Sequence, residues 1–372
     1  MLKALLSLIF LRPFISSLAF PYLNFIYSAL LLLFLIIWVF YKGIPWKSLL
    51  TIKYPLFFFC SILMFSATFS FNKLNGLKEL SEYAVNILLF LATISLIRKD
   101  KFRLMNILLW AAFIISLLAI YQYFFGFQHT LKYLAQEKIT NPFVLDYIKS
   151  KRVFFPFVTP NILAGYLIMA IPLALTNKRK VWMVIILSCA LLLTKSLGAL
   201  LSLLLALILY FYLQDNFKKR GILLLLGILI IIGLVFLART NTLKQHLQPF
   251  FSTTARLQYY KDTWGIIKTA PLAGVGLGNF NLTLSRYAHN SYLQIWAETG
   301  IFGLISLLWL VGAVLKYGLQ NIKTSSCKNI TAGLVVTAAV FLLHNLVDFT
   351  FFLPEVSFFW WVTLGLLIPR EN

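Results

Sequence analysis

The chain is poor in charged residues and poorest in acids. Of its 372 residues only 12% are charged while 60% are hydrophobic, and its 11 acidic side chains are opposed by 33 basic ones. A soluble domain carries roughly 25% charged residues, so this composition excludes an ordinary soluble fold and predicts a polytopic membrane protein. The net charge of +22 indicates that the basic groups either follow membrane topology or face an anionic partner.

The scarce cysteines, histidines and acids also exclude several kinds of site. Cys60, Cys189 and Cys327 lie far apart and predict no disulfide framework. The histidines are isolated, without HxxH or HExxH spacing, which disfavours a zinc site. No Asp-x-Asp occurs, and only the close pair Glu79 and Glu82 keeps divalent-metal catalysis open. We therefore expect neither a metal nor a cofactor.

Polar breaks divide the chain into about twelve apolar segments, each near the ~20 residues that a bilayer-crossing helix needs. Short basic connectors lie at residues 42–53, 98–103, 178–180, 218–220 and 316–328. The positive-inside rule places all of them on one side of the membrane, with both termini inside. The prediction is an all-α fold with about twelve transmembrane helices. The first segment, residues 2–20, is also compatible with a cleaved signal peptide, although Arg12 and Pro13 interrupt it and favour a spanning or re-entrant helix.

The predicted organisation has N-terminal transmembrane helices in 1–150, a core in 151–316 and C-terminal helices in 317–372. Two outer connectors are long, at 126–152 and 239–289. The second carries six cations against one acid, namely Arg239, Lys244, Arg256, Lys261, Lys268 and Arg286 against Asp262. A basic outer loop indicates an anionic ligand, although long loops also escape the charge rule. Within it, residues from Ser252 to Pro271 predict one amphipathic helix at headgroup level.

Polar residues are concentrated between Gly274 and Ser306. The alternating glycines there, Gly274, Gly276 and Gly278, lack the context of a nucleotide-binding loop and predict a tight turn whose amides could contact a phosphate. His289 tops the next helix, where it is a candidate general base or, alternatively, an interfacial histidine bonded to a turn. Glu298 is half a helical turn out of phase with His289, so we expect it to pair with another helix.

This set of residues suits group transfer from a lipid diphosphate. The diphosphate leaving group needs cations to hold its growing charge, and the acceptor hydroxyl needs a base. Arg256, Arg286 and Arg152 are candidates for the first role, and His289 for the second.

Several stretches resemble the O-antigen ligase and polymerase superfamily of bacterial membrane glycosyltransferases. The resemblance is carried by "ARLQYYKDTWGIIKTAPLAGVGLGNF" and "HNSYLQIWAETGIFGL", which contain an arginine, a tryptophan, a Pro-x-x-Gly-x-Gly turn and a His-Asn ahead of a Glu-x-Gly helix. It is supported by "RVFFPFVTPNILAGYLIMAIPLAL" and "HNLVDFTFFLPEVSFFWWVTLGLL". The match begins at Arg152, and the earlier helices match only in hydropathy.

The resemblance implies a metal-independent, inverting transfer at the periplasmic face of the bacterial inner membrane. The donor would be a glycan on undecaprenyl diphosphate and the acceptor a lipid A-core or a growing glycan, with no nucleic acid involved. It implies that Arg256 binds the diphosphate and that His289 activates the acceptor. Supporting roles fall to Asn161, Asn290, Gly276 and Gly278.

One departure from the family pattern concerns the stretch "LTKSLGALLSLLL", where Leu197 occupies the place of a family arginine. Lys195 could substitute as a point charge, but it lacks the planar fork that grips phosphate. Ligase, polymerase and protein-glycosylating activities share these signatures. A transporter or flippase also stays open, with Lys195, Glu298, His344 and Asp348 as pathway charges.

Overall fold

The computed structural model describes residues 1–136, 145, 147–148, 150–214, 219–240, 249–283, 285–324 and 328–370. Its regular structure is helical. In chain order the helices are α1 Leu2–Leu11, α2 Pro21–Lys42, α3 Lys53–Phe69, α4 Lys73–Ile94, α5 Arg98–Tyr121, α6 Phe127–Gln136, α7 Pro160–Leu175, α8 Val181–Thr194, α9 Leu197–Leu213, α10 Lys219–Thr240, α11 Pro249–Thr269, α12 Ser291–Thr324, α13 Lys328–His344 and α14 Pro354–Leu367.

Each predicted apolar segment contains one of these helices. Among the described residues, four helical segments are long and apolar enough to cross a bilayer, namely Pro21–Lys42, Arg98–Gln136, Gly221–Thr240 and Ser291–Ile322. The chain is therefore an all-helical, multi-pass membrane protein. The count of twelve spans stays a prediction, since several of the other apolar helices are shorter than 18 residues.

Three predicted boundaries differ from the structure. The first segment is not one helix, because α1 ends at Leu11, just before Pro13, which cannot donate a backbone hydrogen bond. The connector expected at 126–152 is partly helical, since α6 continues α5 after a single π-turn over Gln122–Gly126. In the second long connector, α11 begins at Pro249, three residues before the predicted start, and Lys244 lies outside the described residues.

The helices have two distinct ends. At one end, α4 begins beside the glycine turn, where the Ser70 hydroxyl donates to the Leu277 carbonyl at 2.9 Å. The start of α12 meets the end of α13 there, since the Ser291 amide donates to the Asn345 carbonyl at 2.9 Å. We call this the loop end. The opposite end, which carries the basic connectors at residues 98–103 and 178–180, is the connector end.

Candidate functional site

The glycine turn is fixed against a break in α12. Within this helix Gly300 has φ 71° and ψ 178°, a conformation that is open to glycine. The amides of Val275 and Gly276 donate to the carbonyls of Ala297 and Glu298 at 2.8 and 3.0 Å. The Gly278 amide donates to the Glu298 carboxylate at 3.3 Å. The turn thereby sets the position of the chain that leads to His289.

These bonds assign Gly276 and Gly278 a different role from the predicted one. Their amides point to α12, so the turn acts as a structural clamp rather than a phosphate cradle. Glu298 pairs with this turn and with the Gln294 amide at 3.1 Å, whereas we expected it to pair with another helix.

Arg152 is a buried cation of the loop end, with 5% of its surface exposed. Its Nε donates to the Thr194 carbonyl at 3.0 Å and its Nη2 to Asn161 Oδ1 at 3.3 Å. The guanidinium also lies over the Tyr147 ring, 5.4 Å from its centroid. These partners of the side chain are neutral, and no acidic side chain among the described residues forms a salt bridge with it.

Lys195 lies beside Arg152 in the short connector between α8 and α9. Its Nζ donates to the Ser150 carbonyl at 2.8 Å. Burial, Arg152 and Lys151 lower the pKa of Lys195. The predicted substitute for the family arginine is thus placed in the cation cluster, which we define as Arg152, Lys195, Arg239 and Arg256.

Arg239 and Arg256 complete the cation cluster from α10 and α11. Burial, together with the charges of Arg239 and Arg256, lowers the pKa of Arg152 to about 9. Arg256 Nε is buried and has no hydrogen-bond partner among the described residues. Cations that mutually destabilise their charged forms define a site for an anion with more than one negative charge.

His289 lies next to the cation cluster, immediately before α12. Its ring stacks on Tyr259 with centroids 5.3 Å apart and meets the edge of Phe349 at 4.7 Å. Its Nδ1 is buried and accepts or donates no hydrogen bond within the described part of the chain. Burial lowers the pKa of His289 to about 4, Asp348 opposes this shift and Arg256 adds to it. His289 is therefore a shielded histidine whose lowered pKa keeps it neutral at pH 7.

Asp348 brings a carboxylate to the same place from the turn after α13. Its Oδ2 lies 3.5 Å from Nε2 of the buried His344, and its Oδ1 accepts from the Phe349 amide at 2.8 Å. Asp348 also raises the pKa of Tyr260. Because it raises the pKa of His289 as well, it is placed to stabilise an imidazolium there.

Unusual backbone conformations coincide with this site. Among the described residues, the non-glycine positions with positive φ are Lys151 at 49°, Lys195 at 51° and His289 at 53°. Each such conformation costs on the order of 1–3 kcal/mol and tends to persist at functional sites. All three residues belong to the cation cluster or border it.

Arg286 is separated from the cation cluster. It is exposed and lies over the Tyr287 ring at 5.6 Å. Its charge acts on Glu79 and Glu298 instead. Of the remaining predicted residues, Asn161 binds Arg152 as described above. Asn290 caps α12, since its Oδ1 accepts from the amides of Tyr292 and Leu293 at 3.0 and 3.1 Å.

The sequence reasoning did not assign Arg239 and Asp348 to this site. Arg239 ends an apolar helix and is only 8% exposed. The sequence signal that could have indicated this residue was an arginine at the end of an apolar segment. Asp348 follows the "HNLVD" stretch, but nothing in the sequence placed that turn beside His289. No group of three or more His, Cys, Asp or Glu residues is arranged to hold a metal ion in the described ranges.

The fold and this site define a multi-pass membrane protein with a cationic cluster and a neutral histidine at one end of a helix bundle. Residues 182–308 match the family model described as O-antigen ligase, a stretch that contains Lys195, Arg239, Arg256 and His289. The resemblance seen in the sequence is therefore confirmed over residues 182–308, which are similar to the O-antigen ligase family. This match supports a membrane glycosyltransferase of ligase or polymerase type. No curated protein matches the chain significantly.

Proposed function

We propose that the protein transfers a glycan from undecaprenyl diphosphate to a lipid A-core acceptor at the periplasmic face of the bacterial inner membrane. The observation that carries this proposal is the placement of the cation cluster directly beside the neutral His289. The first suits a lipid diphosphate and the second suits a hydroxyl acceptor.

The cation cluster would bind the donor diphosphate and stabilise it as a leaving group. When the bond from the anomeric carbon to the phosphate oxygen breaks, its electron pair passes to the diphosphate. Preorganised cations in a poorly solvated site stabilise such charge strongly, and one donor contributes about 10²–10³ in rate. Arg152 and Arg256 supply planar forks, while Lys195 supplies a point charge.

His289 would take the proton of the acceptor hydroxyl while that oxygen forms the new bond to the anomeric carbon. Attack opposite the leaving diphosphate inverts the configuration. A general base must be unprotonated before the reaction, and the lowered pKa of His289 satisfies this condition at pH 7. Asp348 would then stabilise the imidazolium, which otherwise forms beside cations. The charges balance without a metal or cofactor.

The test uses purified protein reconstituted with an undecaprenyl-diphosphate glycan, with and without lipid A-core, and resolves the products on a gel. A ligase gives glycan joined to the core, which His289→Gln abolishes. Without such product, and without any other glycan transfer, the enzyme proposal is wrong.

The second candidate is a polymerase of the same superfamily, because the domain match covers both types. A ladder that lengthens on donor alone would establish it. A transporter is the remaining alternative. It would move labelled lipid-linked glycan across liposome membranes, and this movement rather than glycan transfer would depend on Lys195 and Asp348.

A further inference from the structure

A large cavity lies at the connector end, away from the candidate site. Its volume is about 590 Å³. It opens between the start of α5 and the ends of α12 and α14, with the start of α13 on its other side. Its inner wall is apolar and is formed by Phe102, Met105, Ile330, Leu334, Leu366 and Leu367.

Three cations line the same cavity, namely Arg98, Lys101 and Arg370. None of the described residues lining it is acidic. Two acids are next to these cations in sequence: Asp100, which is bound to Arg103 at 3.0 Å, and Glu371, which lies outside the described residues. The cavity thus combines a positively charged rim with a hydrophobic wall.

Two of these three cations, Lys101 and Arg370, donate to backbone carbonyls. Lys101 is 9% exposed, and its Nζ donates to the Gly365 carbonyl at 3.3 Å and to the Ile368 carbonyl. Arg370 Nη1 donates to the Ser95 carbonyl at 3.1 Å. The end of α14 offsets part of the Lys101 charge, while Arg98 and Arg370 are exposed at the rim.

A second cavity of about 310 Å³ adjoins the first through Leu96, Ile97 and Arg370. It adds Lys42 from the end of α2, together with Asp100. The basic rim therefore extends across two neighbouring hollows. This shape is larger than a single phosphate needs.

We propose that this cavity binds an anionic phospholipid, with the headgroup phosphate at Arg98 and Arg370 and an acyl chain along the apolar wall. The ligand chemistry is a phosphate ester, which a soluble metabolite could also carry. The apolar wall and the position between ends of membrane helices select the lipid. Basic pockets between helices on this side of a membrane bind such headgroups, with about 1 kcal/mol per cation, or about fivefold in affinity.

The experiment measures lipid retention on the purified, full-length protein by native mass spectrometry. The probes are phosphatidylglycerol, the zwitterionic phosphatidylethanolamine and soluble glycerol phosphate. We expect wild-type protein to retain phosphatidylglycerol at collision energies that strip phosphatidylethanolamine. A large excess of glycerol phosphate should not displace it. Equal retention of the two lipids would overturn the proposal, and displacement by glycerol phosphate would assign the cavity to a soluble ligand.

The double variant Arg98→Gln, Arg370→Gln should bind phosphatidylglycerol about 25-fold more weakly, at about fivefold per lost charge. Its control is Lys99→Gln, which removes a positive charge from α5 at an exposed position that lines neither cavity. Equal loss in the control would mean that only general surface charge matters. Glycan transfer at the loop end should persist in the double variant, so failure of this proposal and failure of the proposed function are distinguishable.

Discussion

The pH dependence of glycan transfer should carry the signature of the shielded His289. As a general base, His289 acts only when unprotonated, so activity falls as pH decreases through its pKa. Burial lowers that pKa to about 4 from the ordinary 6.5. At the alkaline side, Arg152 must keep its charge to bind the diphosphate, and burial lowers its pKa to about 9. We expect kcat/KM to be bell-shaped with a broad plateau between these limits.

The difference from an ordinary histidine is large at mildly acidic pH. At pH 5.5 a base with a pKa of 4 is about 97% neutral, whereas one with a pKa of 6.5 is about 9% neutral. Activity at pH 5.5 should therefore stay close to its value at pH 7.5. An exposed histidine would instead lose about tenfold over the same interval.

Asp348→Asn tests the cause of this behaviour. Removing the carboxylate that raises the pKa of His289 should move the acid limb to still lower pH. It should also reduce kcat, by about tenfold for each pKa unit of imidazolium stabilisation lost. The control is Asp262→Asn on α11, a carboxylate whose partner is the exposed Gln258 at 2.8 Å.

The assay follows transfer of a labelled glycan by reconstituted protein between pH 3.5 and 10, at low donor concentration so that kcat/KM of the free enzyme is measured. An acid limb near pH 6.5 would refute the shielded-base reasoning. So would an Asp348→Asn profile that is superimposable on that of wild type at every pH.

Three further predictions follow from contacts at the loop end. Lys195→Ala should reduce donor turnover by about 10²-fold through lost charge stabilisation, whereas Lys195→Arg should retain most of the turnover. Unchanged turnover in the alanine variant would remove Lys195 from the site. Arg256→Ala should reduce kcat/KM for the donor by about 10²–10³, whereas Arg286→Ala should change kcat/KM less than threefold. A larger loss in Arg286→Ala than in Arg256→Ala would contradict the separation of Arg286 from the cation cluster. Gly300→Ala should lower the free energy of unfolding by about 3 kcal/mol or more, because the added Cβ would lie 1.9 Å from the Leu272 carbonyl oxygen. The control is Gly312→Ala in the same helix, where an added Cβ would meet no atom within 4 Å. This control should leave the melting temperature in detergent nearly unchanged.

The helices could be predicted from sequence because hydropathy and polar breaks act locally. α8 and α9 begin and end where the apolar runs do, at Val181–Thr194 and Leu197–Leu213. The predicted length of the first helix was wrong, because Pro13 interrupts the apolar segment and α1 ends at Leu11. The extension of α6 was missed, since Phe127–Gln136 is too polar to read as membrane helix.

The site was predictable only where its residues share one stretch of chain. Arg256 and His289 belong to the quoted motifs, whereas Asp348 reaches His289 through a tertiary contact between separate turns. Arg286 is close to His289 in sequence, but its charge acts on Glu79 and Glu298, so its role at the diphosphate stays a prediction. The sequence predicted glycine amides available to a phosphate, whereas the amides of Gly276 and Gly278 donate to Glu298 in α12. This tertiary contact could not be predicted from the sequence of the turn.

The strained positions at the site depend on the rigidity of what surrounds them. Lys195 directly follows α8, and His289 lies just before α12. Both have a left-handed backbone conformation, which turns the side chain away from the helix and toward the neighbouring connector. Backbone bonds hold both connectors, from the Val153 amide to the Leu193 carbonyl at 3.2 Å and from Ser291 to Asn345 at 2.9 Å. Because these backbone contacts oppose the strain, the fold itself positions the cations and the base. Charge stabilisation in a group transfer requires such preorganisation. Although Leu197 occupies the position of the family arginine, the site keeps a positive charge because Lys195 supplies one. The left-handed turn at Lys195 brings a cation to Ser150, next to Arg152, by a different route.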